Sequence, residues 1–260
     1  MLFLLSPAKS LAEGPAIDGL PATQPILLDQ TETLIKTTRR LSAPKIKKLM
    51  GVSDQLSALN RQRFRDWTTP FTTENARQAA LMFSGDVYRG LDAGTLSVED
   101  LTFAQDHLAI LSGLYGALRP LDLIQPYRLE MGTRLSTRRG RDLYGFWGKR
   151  ITDRLNELTE GHEDRTVINL ASKEYFKSVQ PKNLAGPVVT PVFKDVKDGK
   201  ARFLSFFAKA TRGEMARWAI QNRLSTADQL HFFDGGGYVL QPELSDETHL
   251  EFHRPQRVNS

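Results

Sequence analysis

Lys9 is the residue of this sequence best placed for covalent or acid–base chemistry. It follows a short Ser-Pro-Ala segment at the end of Leu2–Leu5, an apolar run that predicts a buried strand. A lysine just past a buried strand can lose its solvation and its charge, and then act as a nucleophile or a base. It can equally stay charged and hold a phosphate group. In the reactive case, Asp86 and Glu130 would assist it.

A second group of polar residues follows a strand predicted at residues 166–171. Asn169, Ser172, Tyr175 and Lys177 would converge from the end of that strand towards Lys9. The competing interpretation is that Ser172 caps a short helix while Tyr175 packs in the core. The sequence supports both.

A third group is the basic face of a helix predicted from Lys209 to Leu224, where Gly213 allows a neighbour to approach closely. Surface charge alone would also explain this face. Together the three groups predict a polar cleft. Besides the reactive residues, its expected lining is Ser6, Tyr88, Asp122, Tyr127, Asn169, Ser172, Tyr175, Lys177, Lys209 and Arg212.

The stretch from Leu108 to Met131 combines glycines with charged groups in a way that packing alone does not require. Glycines at the end of a helix leave backbone N–H groups open to a ligand, and a helix start behind them favours anions. The alternative is a buried helix-turn-helix with satisfied ion pairs. The candidate anion contacts are Gly113, Tyr115, Gly116, Arg119 and Arg128.

The composition limits the possible chemistry. The 260 residues include no cysteine, which excludes disulfides, thiolate metal sites and cysteine-based peroxide chemistry. The net charge is +5, and basic residues cluster near 36–48, 61–65 and 134–141. These clusters permit a polyanion such as nucleic acid as a partner, although solvated helix faces would look the same. No signal segment or membrane span is evident, so we expect a cytoplasmic protein without membrane contact.

Motifs for cofactors and metals give no positive signal. No Walker loop, dinucleotide fingerprint or metalloprotease motif occurs, so the sequence predicts no cofactor. His249, Glu251 and His253 alternate, and a strand would place all three on one face, as in a two-histidine, one-carboxylate iron site. Such sites normally draw on separated elements, however. We therefore expect a solvated edge strand there and no metal site.

Helices predominate in the first part of the chain and strands in the second. Apolar periodicity and capping residues predict helices at 27–41, 44–50, 54–67, 73–84, 97–111, 142–160 and 209–224. Strands are predicted at 2–5, 166–171, 187–193 and 201–207, with a hairpin turn at Asp198-Gly199. The expected fold is α+β, a single mixed domain over residues 1–260 with a central sheet. A helix-rich lobe would span about 27–160, and a strand-rich part about 1–6 and 166–254.

Six segments, in chain order, resemble a known family. They are SPAK at 6–9, GDVY at 85–88, LSGLYGALRPLDLIQPYRLEMG from 111, NLAS at 169–172, EYFKSV from 174 and AKATRG from 208. Together they are similar to the YaaA-type peroxide-stress proteins over almost the whole chain. The part after about residue 237 follows the family pattern poorly.

The resemblance implies a cytoplasmic bacterial protein that helps cells survive hydrogen peroxide. The resemblance also implies a role in keeping free intracellular iron low, which limits Fenton damage to DNA. It also implies DNA binding by a helix-hairpin-helix element, for which the candidate is Leu108–Leu118. There the N–H groups from Gly113 to Gly116 would meet a phosphate.

Two functions remain open at this stage. The favoured one is a monomeric stress protein without turnover that binds backbone phosphates of double-stranded or branched DNA, whatever the sequence. The alternative is a lyase-like or glycosylase-like enzyme acting on a nucleobase or damaged DNA, with Lys9 as nucleophile or base. Direct iron binding is disfavoured because ligands at sensible spacing are too few.

Overall fold

The computed structural model describes residues 1–12, 14, 16 and 19–256, and a mostly parallel sheet forms its centre. The strands are β1 Leu2–Leu5, β2 Ser10–Leu11, β3 Arg77–Gln78, β4 Phe83–Ser84, β5 Leu108–Ser112, β6 Gly116–Leu118, β7 Leu123–Ile124, β8 Val167–Asn169, β9 Val188–Lys197, β10 Lys200–Arg202, β11 Val239–Leu240 and β12 His249–Pro255.

The central sheet changes direction beside its first strand. Strands β12, β9, β8, β1 and β5 lie in this order and run parallel, while β6, β10 and β11 join antiparallel. The chain passes from β1 to β5 in one direction, and from β8 through β9 to β12 in the other. The strand order therefore reverses between β1 and β8. Outside the carboxyl ends of such strands, open α/β sheets leave a crevice that binds ligands.

Helices surround this sheet, and several begin at the capping residues that the sequence indicates. Ser53 and Ser97 each accept a hydrogen bond from a backbone N–H of the first turn, and Gly51 ends a helix in the left-handed conformation. The helices are α1 Leu28–Thr38, α2 Ala43–Met50, α3 Asp54–Asp66, α4 Ala79–Met82, α5 Asp86–Leu91, α6 Val98–His107, α7 Leu143–Trp147, α8 Arg150–Leu158, α9 Lys173–Phe176 and α10 Ser205–Gln221.

Helices α5 and α10 touch through their backbones. A Cβ atom added at Gly213 would lie 1.8 Å from the carbonyl oxygen of Val87, and one at Gly90 would lie 2.0 Å from that of Ala210. Only glycine permits so close an approach. The contact sets the first turn of α5 beside the long helix α10, and both helices border the site described below.

The predicted α+β fold with a central sheet is confirmed. The helix-hairpin-helix expected at Leu108–Leu118 is wrong, because β5 and β6 form a buried antiparallel hairpin with Ser112 opposite Gly116. A short apolar run such as residues 108–111 fits a helix or a buried strand equally well. Here the run pairs with β1 and is therefore a strand. Helix α6 consequently ends at His107 instead of Leu111.

Other predicted boundaries also differ from the structure. Residues 73–84 contain only the four-residue α4 and two short strands instead of one helix. The helix predicted from Asp142 is divided by Gly148, whose φ of 52° and ψ of −119° are not helical. Residues 85–88, the GDVY segment, lead into and begin α5. No helix of the described residues has the length and apolar character needed to cross a membrane.

Candidate functional site: a basic cleft at the carboxyl ends of the strands

A cleft of about 550 Å³ opens where β1 and β8 end, at the point where the strand order reverses. Its walls are residues 6–10 after β1, residues 170–175 after β8, the start of α5 and one face of α10. The structure thus brings eight of the residues predicted from sequence to one cavity. They are Ser6, Lys9, Asp86, Tyr88, Ser172, Tyr175, Lys209 and Arg212.

Two serines connect the strand ends at the floor of the cleft. The backbone N–H of Ser172 donates to the hydroxyl oxygen of Ser6 at 2.8 Å, and the Ser6 hydroxyl lies 3.3 Å from that of Ser172. Tyr88 adds a third element, because its hydroxyl donates to the Ser6 carbonyl oxygen at 3.0 Å. Ser172 also caps α9, so it serves both interpretations that its sequence position allows.

Lys9 forms an ion pair at the edge of the cleft. Its Nζ lies 3.0 Å from Oε2 of Glu130, and the other oxygen of that carboxylate is 2.9 Å from a guanidinium nitrogen of Arg128. The Lys9 side chain is 65% exposed. Water and the carboxylate both stabilise a charged ammonium group, so the geometry favours an anion-binding role over a desolvated nucleophile.

Arg212 presents the most unusual cation of the site. Its guanidinium is largely buried, burial lowers its pKa, and Nε has no hydrogen-bond partner among the described residues. Arginine nevertheless remains charged in proteins. A buried charge without a carboxylate partner is costly, and an anionic ligand in the cleft would remove that cost. Lys209, one turn earlier on α10, adds an exposed ammonium group to the same wall.

Three buried tyrosines lie at or near the cleft: Tyr88 and Tyr175 line it, and Tyr127 lines the neighbouring pocket that contains Lys9 and Glu130. Burial raises the pKa of Tyr88, Tyr127 and Tyr175 well above the usual value, and the neighbouring phenols and carboxylates add to that effect. The hydroxyl groups of Tyr127 and Ser112 lie 2.6 Å apart. Tyr88 and Tyr175 therefore shape the cleft, and none of the three tyrosines supplies a phenolate base at neutral pH.

Several expected cleft residues lie elsewhere. Asp122 is buried and accepts hydrogen bonds from the Thr23 hydroxyl at 2.6 Å and the Arg119 N–H at 2.8 Å, which fixes a turn. Asn169 accepts from the Ala171 N–H beneath the cleft. The Lys177 ammonium sits 4.7 Å from the centre of the Tyr144 ring, outside the cavity lining.

The hairpin glycines and their tyrosine belong to the core. Gly113, Tyr115 and Gly116 are buried, and the Tyr115 hydroxyl accepts hydrogen bonds from the indole of Trp67 and the N–H of Gln125, both at 3.1 Å. Gly116 has a φ of 75° and faces the Trp147 ring, which explains its residue type. The hairpin therefore offers a DNA phosphate no surface.

Sequence reasoning overlooked two charged residues that line the cleft. Glu174 accepts a hydrogen bond from the Gly132 N–H at 2.9 Å, and Arg89 pairs with Asp86. For each of these two residues, the position in the sequence could have indicated a place in the cleft. Glu174 lies in the first turn of the helix that Ser172 caps, and Arg89 follows the GDVY segment directly.

A second basic surface joins two of the three charge clusters. A groove of about 790 Å³ lies between α2 and residues 132–136, with Lys45, Lys48 and Arg134 in its lining. Leucines provide the apolar part, and the described lining contains no carboxylate. Residues 130–136 connect this groove with Glu130 at the edge of the cleft. Helices α2 and α3, joined through Gly51, form a helix–turn–helix pair beside it.

The histidine-rich final strand is also placed differently from expectation. Strand β12 lies between β9 and β11, so it is not an edge strand. Glu251 is buried, with Nζ of Lys194 at 2.7 Å and Nε2 of His253 at 2.6 Å. The ammonium group of Lys194 thus takes the place beside the Glu251 carboxylate that a bound metal ion would need. Within the part of the chain that the structure describes, no three metal-ligating side chains are grouped to hold an ion.

The fold and the cleft define an α+β protein with a mostly parallel sheet and a polar, cation-rich site at the point where its strand order reverses. A family model described as peroxide stress protein YaaA matches residues 1–244. The chain therefore belongs to the peroxide stress protein YaaA family, and the resemblance carried by the six segments is confirmed. This membership is consistent with a role in the response to peroxide.

Proposed function

We propose that this protein acts in the peroxide response by binding the backbone phosphates of DNA. Bound in this way, it would shield DNA from iron-driven Fenton oxidation. The observation that carries the proposal is Arg212, a largely buried guanidinium that no carboxylate of the described residues neutralises, in a cleft that also contains Lys9 and Lys209. Guanidinium and ammonium groups are the usual partners of phosphate oxygens.

The second basic surface supports binding to a long polyanion. Lys45, Lys48 and Arg134 line a groove that residues 130–136 connect with the cleft. Two separated cationic surfaces suit a backbone that extends over many phosphates better than they suit a single small anion. We assign the role of the helix-hairpin-helix-like element to α2 and α3, of which α2 lines this groove, instead of Leu108–Leu118.

The proposed contacts involve charge and shape, not base sequence. The described basic surfaces are a cleft and a groove, and neither presents a long exposed helix with paired side chains for the major groove. Contacts to phosphates fix position without reading sequence. We therefore expect similar affinities for unrelated duplex sequences and a strong dependence on salt.

The test is fluorescence anisotropy with a labelled duplex across a series of salt concentrations. The logarithm of the binding constant should fall linearly with the logarithm of salt concentration, with a slope of roughly −0.9 per phosphate contacted. Lys209→Ala and Arg212→Ala should each weaken binding and make the slope shallower by about one contact. Lys182→Ala is the matched control, because Lys182 is exposed and lines neither basic surface. Unchanged binding in both cleft variants would reject the cleft as the DNA site.

One observation favours a second candidate function, an enzyme that acts on damaged DNA through Lys9. Glu130 stabilises the charged ammonium of Lys9 at rest, but at 3.0 Å it is also within reach to accept the ammonium proton when an electrophile is bound, and Asp86 lines the same cleft. The freed amine would add to the aldehyde carbonyl of an open abasic site, and loss of water from this adduct would give an imine. Borohydride would trap that adduct on the wild-type protein and not on Lys9→Ala. No adduct on the wild-type protein, or an equal amount on the variant, would eliminate this function.

A further inference from the structure

We propose that the cleft receives one unpaired nucleotide of the bound DNA, whose base stacks on Phe206 while Lys209 and Arg212 hold its phosphate. This inference rests on the proposed function and specifies the kind of DNA that the site prefers. It depends on the size of the cleft, on an exposed aromatic ring beside it, and on the polar groups of its lining.

The size of the cleft excludes a duplex and admits one nucleotide. A cavity of about 550 Å³ lies within the range of roughly 300–1,000 Å³ that encloses a single small ligand. A paired duplex can only lie across the opening. A nucleotide enters such a pocket when it is turned out of the stack, which costs least where the base is already unpaired.

An exposed aromatic ring lies next to a residue of the cleft lining. Phe206, in the first turn of α10, is 57% exposed, and Phe203 just before the helix is 52% exposed. The guanidinium of Arg89, which lines the cleft, lies 5.7 Å from the centre of the Phe206 ring. Lys209 follows three residues later and so lies on the same face of the helix. The ring thus lies next to Arg89 and on the same helix face as Lys209, two residues that line the cleft.

The arrangement matches what an unpaired nucleotide offers. Proteins bind single-stranded nucleic acid by combining cations for the backbone with aromatic rings on which bases stack. Phe206 supplies the ring, and Lys209 and Arg212 supply the cations. Ser10, Ser84 and Asp86 also line the cavity and offer donors and acceptors to the edge of a base. The Phe206 ring contacts Phe207 and Arg89 but remains more than half exposed, so part of it is open to a base.

The experiment compares three otherwise identical duplexes. One is fully paired, one carries a single unpaired 2-aminopurine nucleotide, and one has an abasic analogue in place of that nucleotide. We expect the 2-aminopurine duplex to bind most tightly, and its fluorescence to fall on binding because the base stacks. Phe206→Ala should lower the affinity for that duplex about 5- to 150-fold, the range that loss of one base–aromatic stack gives. The same variant should restore the fluorescence and leave the fully paired duplex unaffected, and Phe206→Trp should retain both properties.

Phe232→Ala is the control, because Phe232 is 78% exposed and lines no part of the cleft. Thermal melting would verify that each variant is folded. Equal affinity for paired and unpaired duplexes, or a preference that survives in Phe206→Ala, would overturn this inference and leave phosphate binding intact. Failure to bind any of the three duplexes at low salt would instead overturn the proposed function.

Discussion

The backbone N–H of Ser172 donates a hydrogen bond to the hydroxyl oxygen of Ser6 over 2.8 Å, and this bond joins the carboxyl ends of β8 and β1. The two residues are far apart in the chain but meet where the strand order reverses. Residues after both strand ends line the cleft, so its floor depends on this junction.

Replacing Ser6 should therefore destabilise the protein. Ser6→Ala leaves the N–H of Ser172 without its acceptor in a partly buried position, which should cost about 1–2 kcal/mol in the free energy of unfolding. Urea denaturation at pH 7 would measure this change. Ser10→Ala is the matched control at an exposed position of the same cleft. Equal stabilities of the two variants would contradict a structural role for the Ser6–Ser172 bond.

Helices α5 and α10 should not tolerate a side chain at their contact. In Gly213→Ala the new Cβ would lie 1.8 Å from the Val87 carbonyl oxygen, so the helices must separate. We expect a loss of about 1–3 kcal/mol in the free energy of unfolding, as in overpacked cores, together with weaker DNA binding because two walls of the cleft move. Gly161→Ala, where a Cβ meets nothing within 4 Å, should leave both properties nearly unchanged. A stable Gly213→Ala variant would show that the helices are not in backbone contact.

The groove beside α2 should contribute to salt-dependent binding. Changing Lys45, Lys48 and Arg134 together to alanine removes its exposed cations, none of which stabilises the core. The slope of log binding constant against log salt should become shallower by roughly 0.9 for each lost phosphate contact, or about 2–3 in all. Anisotropy titrations at several salt concentrations would give this slope. An unchanged slope would confine DNA to the cleft.

His162 should make the protein less stable in mild acid. Its ring stacks on that of His107 with centroids 4.5 Å apart, and burial lowers the pKa of His162 to about 4. The unfolded chain binds a proton near pH 6.5, whereas the folded protein does so only near pH 4. Stability is therefore complete above pH 6.5 and decreases as the pH falls towards 4.

The replacement His162→Phe keeps an aromatic ring in the stack but cannot titrate. Melting temperatures measured between pH 7 and 5 should therefore fall less steeply for this variant than for the wild-type protein. Some slope should remain, because burial also lowers the pKa of His107. His231→Phe, a change at an exposed position, should keep the wild-type slope. Parallel curves for wild type and His162→Phe would contradict the assignment.

Local signals explain which parts of the fold were predictable. Leu2–Leu5 is uniformly apolar because β1 is buried on both faces, and Ser53 and Ser97 cap helices through bonds to residues three positions away. The hairpin at Leu108–Leu118 depends instead on pairing with β1, about a hundred residues earlier. Periodicity over a few residues contains no information about such a distant partner, so the prediction of helices there was wrong.

The cleft shows the same division between local and distant causes. Lys9, Ser172 and Arg212 were predictable because each follows a strand end or lies on a helical basic face. Their meeting depends on the reversal of strand order and on the contact between Gly213 and α5, which join segments from three parts of the chain. Asp122 was misplaced for the same reason, since its Thr23 partner could not be inferred.

Hydrogen–deuterium exchange with and without a DNA duplex tests the proposed DNA site most directly. We expect slower exchange in peptides that cover residues 6–10, 84–90 and 203–212, with weaker protection at 45–51 and 132–136. The core hairpin at 108–118 should exchange slowly in both states and show no change. Binding that protects none of the three cleft segments would contradict the central claim, because the DNA would then lie on another surface.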